Sequence, residues 1–189
     1  MKQAKVLTDA ELKRVLALCV TMQNGKRNRL MVMLSHYAGM RVGEIASLKW
    51  ADVLDREMKP KAMFYLKAEN TKAKEARQVH LNAKLHKELA TYWAQLDRRR
   101  KLDRPVIESQ KGGPFTPNSM VQAFGRVFDA AGIDDASSHS GRRWFITRLA
   151  HSGISPKVIM ELAGHKQLAT TQRYIDVSDE QKRSAVEVL

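Results

Sequence analysis

Tyr174 follows His165 by nine residues, in the run Leu162-Ala163-Gly164-His165-Lys166-Gln167-Leu168-Ala169-Thr170-Thr171-Gln172-Arg173-Tyr174. Upstream stand Gly39-Met40-Arg41-Val42-Gly43-Glu44 and His139-Ser140-Gly141-Arg142. Two guanidiniums, two imidazoles and a phenol near the chain's end are the equipment for attacking a phosphodiester with a tyrosine and no metal. The transition state of such an attack places charge on nonbridging oxygens, which fixed guanidinium and imidazole donors stabilise. A phenol, with a pKa near 10, is a poor nucleophile until its proton leaves.

Each group taken alone has a plainer reading. His139 and Arg142, three apart, leave one face of a helix that Ser138 or His139 can begin, and its first-turn N–H groups suit an oxyanion. The same pair would serve as a basic first turn on a DNA backbone. Arg41 stands where a helix begins, with Glu44 one turn on, and can fork onto two phosphate oxygens or pair with Glu44. His165 and Tyr174 cannot share an unbroken helix. Nine residues turn through ~900° and would separate them by roughly 13 Å on opposite faces. Gly164 offers a helix stop, Lys166-Gln167 a short connection, and a new helix near Leu168 would bring the two back together. A Gly-His turn beside a half-buried tyrosine is otherwise ordinary. Lys72, Lys74 and Arg77 lie in a polar stretch whose charges would usually be solvated.

The chain has 189 residues, 33 Lys+Arg against 20 Asp+Glu, and a formal charge of +13. That length suits one well-formed core. The charge surplus points to a polyanionic partner, nucleic acid before acidic membrane. Cys19 stands alone in the sequence, which excludes an intramolecular disulfide and any multi-cysteine zinc site, and its neighbours Leu16, Leu18 and Val20 suit a buried thiol. No carboxylate cluster suggests a Mg²⁺ site, so neither a cofactor nor a metal is expected. The first residues lack an apolar signal core and no long apolar run occurs, so the expectation is a cytoplasmic protein without membrane attachment.

The elements that must position these groups are mixed α/β and mainly helical. Thr8-Asp9-Ala10-Glu11 is a capping box opening a helix with Leu12, Val15, Leu16 and Cys19 at helical spacing. Helices are predicted over 27–38 and 43–48. The period then shifts to strands over 62–67 and 77–81, and an earlier strand near 52–56 would complete a three-stranded antiparallel sheet. Helices resume over 83–100, 118–131, 140–151, 156–163, 169–175 and 179–188. A loop marked by Pro105, Gly112, Gly113, Pro114 and Pro117 separates the first two of these.

In this order, Arg41, a lysine between strands, His139-x-x-Arg142, Gly164-His165 and Tyr174 resemble the catalytic domain of the tyrosine recombinases, the phage-integrase family. The resemblance runs from about Thr8 to Val177. It implies that Arg41, Arg142 and His165 bind the scissile phosphate and that Tyr174 is the nucleophile. His139 would be an acid/base or positioning group, Lys72 the general acid, and Glu44 an accessory that holds Arg41. Lys72 is preferred over Lys74 by position alone. The implied chemistry is a 3′-phosphotyrosyl intermediate with release of a 5′-hydroxyl, requiring neither metal nor ATP. The implied partners are double-stranded DNA and further copies of the chain, assembling as a tetramer on paired sites, in the cytoplasm at the nucleoid.

Two departures from the family stand out. Ser140-Gly141 fills the interior of His-x-x-Arg where the family more often carries an acidic and an apolar residue, so a looser first turn is expected. Residues 1–189 read as a single catalytic domain, with a core over 8–177 and a tail over 178–189. The N-terminal helical domain of most relatives is not expected in it. Two other functions compete: a DNA-binding regulator that kept the fold without the chemistry, and a phosphodiesterase whose intermediate goes to water.

Overall fold

The computed structural model describes residues 4–71, 75–96, 101–175, 182–183 and 186–187. The central element is α2 (Gly25–Tyr37), in which Leu30, Met31, Val32, Met33, Leu34, Ser35 and His36 are all buried. A helix buried on every side belongs in the middle of a domain, and α2 packs against α1 (Asp9–Thr21), α5 (Ala83–Ala94), α6 (Pro117–Ala130) and α7 (Ser140–His151). The capping box holds as expected. The Thr8 hydroxyl accepts the Glu11 N–H at 3.2 Å, and the Glu11 carboxylate accepts the Thr8 N–H at 2.9 Å. Cys19 is buried at the end of α1 as a free thiol, and burial pushes its pKa up to about 11.

After α3 (Val42–Ser47) the chain departs from expectation. Residues 52–56 do not form a third strand. Trp50–Val53 is a short helix, α4, because the Asp52 carboxylate caps the Lys49 N–H at 2.9 Å. Asp55 then accepts the N–H groups of Glu57 and Lys59, closing a tight turn through Met58 at φ 60°, with a single bridge from Leu54 to Pro60. Among the described residues the sheet has two strands, β1 (Met63–Leu66) and β2 (Arg77–His80), antiparallel with Phe64 opposite Val79. Both of those side chains face the core.

Trp50 anchors the main core, with the Trp93 ring 4.8 Å away and Tyr92 beyond it. A smaller cluster forms where α7 meets α8 (Pro156–Ala163), built from Ile146, Ala150, Ile159 and Ala163. Tyr174 and Ile175 pack against it. Gly141 has a structural reason that contradicts a loose first turn. A Cβ there would lie 2.3 Å from Ser35 Oγ and 2.7 Å from His36 Nδ1. The glycine lets α7 lie directly on α2, and this contact sets the position of Arg142 one residue later.

Candidate active site

Gly164 ends α8 in the left-handed region at φ 62°. The Gly164 N–H donates to Glu161 O and the His165 N–H to Met160 O, both at 3.0 Å, so the backbone reverses as a Gly-capped helix end does. The chain restarts as α9 (Leu168–Gln172). The sequence places that restart correctly but runs the helix to Ile175, whereas Tyr174 lies in a tight turn beyond it. The break brings the His165 and Tyr174 rings to 6.3 Å between centroids, inclined by 20°.

The last carbonyls of α8 explain how the arginines are held. Residues at a helix C-terminus leave carbonyls without intrahelical donors, and the helix dipole favours cations there. Three successive ones are taken by guanidiniums. Arg77 Nη1 donates to Leu162 O at 2.6 Å, Arg142 Nη2 to Ala163 O at 2.5 Å, and Arg41 Nη2 to Gly164 O at 3.0 Å. Every carbonyl from Met160 to Gly164 therefore has a partner. Arg142 also reaches across to Gly39 O at 2.7 Å. Gly39 itself sits at φ 59°, with Phe145 so close that a Cβ would meet the ring at 2.5 Å.

Glu44 is the carboxylate that balances this cluster. It is buried, and it accepts from Arg41 N–H at 2.9 Å, Arg41 Nη1 at 2.8 Å and Arg77 Nη2 at 2.8 Å. Burial works against its charge, but Arg77 and Arg41 outweigh burial and hold its pKa below the usual carboxylate value. Arg142 is pushed down to about 9 by burial first and by Arg41 and Arg77 next, and stays charged at neutral pH. His165 is pulled down to about 4 by burial, then by Arg142, Arg41 and Arg77, so its ring is neutral at pH 7. Its Nδ1 lies 2.8 Å from the hydroxyl of buried Thr171. With Thr171 donating, the proton of the neutral ring resides on Nε2, which can then donate.

Arg41, Glu44, His139, Arg142, His165 and Tyr174 all line one cleft of about 1010 Å³. His139 is exposed and forms the N-cap of α7. The Arg143 guanidinium lies 5.7 Å over the Tyr174 ring, and Arg143 also donates to Ala4 O. Arg41 and Arg142 each spend two of a guanidinium's five N–H donors on the contacts above, leaving others for a ligand. Lys72 lies outside the described residues. Its flanks are held: buried Thr71 accepts the Glu75 N–H at 3.1 Å, and Glu75 pairs with Lys166 at 3.0 Å. Among the described residues no group of three His, Cys, Asp or Glu side chains could hold a metal ion. No helix there is long and apolar enough to cross a membrane.

Residues 5–181 match the profile of the phage integrase family. The chain belongs to that family. Among curated phage-integrase relatives, tyrosine recombinase XerA of Thermococcus kodakarensis is 31% identical, covering 97% of this chain and 62% of the relative. The XerA of Pyrococcus furiosus is 30% identical, covering 97% and 61%. The chain thus spans about three fifths of the length of these relatives. The crystal structure of XerA recombinase shares the fold at a TM-score of 0.78 and 22% identity, over 98% of this chain and 65% of that one. The Tn1549 transposon integrase, solved in complex with a circular intermediate DNA, does so at 0.79 and 20%, over 100% and 67%.

Sequence reading missed Arg77 and Thr171. Thr171 carried a usable signal: with a helix starting at Leu168 it falls one turn in, on the side that faces back toward His165.

Proposed function

We propose that this chain carries the catalytic unit of a site-specific tyrosine recombinase, breaking and rejoining double-stranded DNA in integration, excision or inversion. The observation that carries the reading is the fastening of Arg41 and Arg142 to successive carbonyls of α8, in the one cleft that also holds His165 and Tyr174. A phosphodiester seated there meets donors whose positions are set beforehand, which is what transition-state stabilisation requires. Tyr174 Oη attacks phosphorus as its proton leaves, and the bond to the 5′-oxygen breaks. Arg41, Arg142 and neutral His165 donate to the nonbridging oxygens. Lys72 gives the departing 5′-oxygen its proton, and His139 at the helix start serves as acid/base or positioning group. Glu44 holds Arg41. The products are a 3′-phosphotyrosyl bond and a free 5′-hydroxyl. Because the ester is exchanged rather than hydrolysed, a second 5′-hydroxyl reverses the step and joins new strands. Paired DNA sites then require several copies of the chain, in the reading as a tetramer, at the nucleoid.

The test is incubation with a nicked suicide DNA substrate followed by denaturing electrophoresis. A covalent protein–DNA band is expected, absent in Tyr174→Phe while DNA binding persists. Bound DNA without a band would make the chain a DNA-binding regulator, and cleaved DNA free of protein would make it a phosphodiesterase.

A further inference from the structure

The geometry points to Arg77 as a positioning residue that ties the hairpin to the phosphate-binding arginines. This rests on the strand-exchange reading. Arg77 opens β2, and its guanidinium makes three hydrogen bonds. It pairs with Glu44 through Nη2 at 2.8 Å and Nε at 3.4 Å, and it donates from Nη1 to Leu162 O at 2.6 Å. Its stem passes under Gly164, where a Cβ would lie 2.4 Å from Arg77 Cδ. One side chain thus joins the hairpin, the start of α3 and the end of α8.

Arg77 is 8% exposed and does not line the cleft of Tyr174. It borders a second hollow of about 600 Å³ between β2 and α8. It therefore acts through Glu44, and so Arg41, through the α8 terminus, and so Gly164 and His165, and through the field of its charge on Arg142 and His165. Geometry explains why arginine is needed. A planar fork can face a carboxylate and a carbonyl at once, whereas an ammonium is a single point of charge. A shift of about 1 Å at Arg41 or His165 is the kind of misplacement that costs on the order of 100-fold in rate.

The experiment compares the unaltered chain with Arg77→Met and Arg77→Lys. Single-turnover adduct formation on the suicide substrate is measured across pH, alongside DNA affinity and thermal unfolding. Arg77→Met is expected to slow adduct formation by about 10- to 100-fold while changing DNA affinity less than about twofold. It also removes the strongest cation acting on Glu44, so the acid limb of the pH–rate profile moves to higher pH. A purely structural loss would not move that limb. Arg77→Lys keeps the charge without the fork, so it is expected to slow the reaction with the limb in place, and it carries the test should Arg77→Met not fold. The inference is overturned by an unchanged rate in the variant that folds, by equal losses in binding and cleavage, or by an Arg77→Met limb that stays put. If the unaltered chain forms no adduct, the strand-exchange reading has failed and the inference falls with it. If the unaltered chain reacts and the variants match it, the inference alone has failed.

Discussion

Arg142 donates to the carbonyl of Gly39 at 2.7 Å, and so fixes the turn from which Arg41 enters the cleft. The two arginines are thereby mechanically linked, although the chain places about a hundred residues between them. They differ in burial: Arg142 is buried, whereas Arg41 keeps a partly open side chain. Arg142→Ala leaves the carbonyls of Gly39 and Ala163 without donors, which costs about 1–3 kcal/mol for a buried polar group. Arg41→Ala leaves Glu44 still paired with Arg77 and frees only the Gly164 carbonyl, which is half-buried and can turn to water. Both are expected to lower adduct formation by roughly 3–4 kcal/mol of transition-state stabilisation. Only Arg142→Ala should also show a clear fall in the urea midpoint. Equal unfolding midpoints in the two variants would contradict the link.

Gly164 has two duties, a positive φ and a close approach to Arg77. Gly164→Ala is expected to cost about 1–2 kcal/mol for the left-handed backbone, with a further loss from pushing Arg77 aside. Gly153 provides the control, since it has φ 75° but nothing within 4 Å of a Cβ. Gly153→Ala should show the backbone cost and retain adduct formation, whereas Gly164→Ala should be destabilised further and lose adduct formation as well. Measuring unfolding and adduct formation in parallel separates them.

His165 should titrate near pH 4 in the free chain. A bound phosphodiester adds negative charge beside it and offsets the repulsion from Arg142, Arg41 and Arg77, so its pKa should rise on binding DNA. Imidazole resonances followed by NMR across pH, with and without a DNA duplex, test this. A value unmoved by DNA would mean that the phosphate does not reach the ring.

His36 is fully buried and neutral, with burial pulling its pKa down to about 4 from 6.5. In the unfolded chain it binds a proton below about 6.5, so between that pH and about 4 the unfolded state holds more protons. Stability therefore rises with pH across this window and falls as acid is added, by on the order of 3 kcal/mol from this group. His36→Leu should flatten that slope in urea titrations run from pH 7 to pH 4. A slope equal to that of the unaltered chain would assign the loss to other groups.

Much of this arrangement was legible in order and spacing. The Gly164 break follows from the requirement that His165 and Tyr174 meet, and the limits of α7 and α8 fall where capping and periodicity put them. Arg77 was not legible, because its partner Leu162 lies 85 residues away and the contact is to a backbone carbonyl, which any residue type presents. Gly141 read as a weakness within its own helix, since the side chains that explain it, Ser35 and His36, belong to another element. The strand expected at 52–56 failed for a local reason. A strand there would have completed the sheet, but Asp52 and Asp55 each bond nearby backbone N–H groups, and such short polar side chains compete with a ladder.

Among the described residues the three guanidiniums on the α8 terminus face one bonded carboxylate, Glu44, and otherwise rest on carbonyl dipoles. Folding thus ends with like charges held side by side, a tension that an incoming anion relieves. An architecture of this kind answers to its ligand as an arch answers to its last stone. Any anion that fits the cleft should tighten the whole chain, raising its melting temperature with the logarithm of anion concentration once that exceeds the dissociation constant. It also means that a carboxylate introduced by mutation within reach of Arg41 and Arg142 would act as a resident counterfeit of the phosphate, giving a sturdier protein that no longer works.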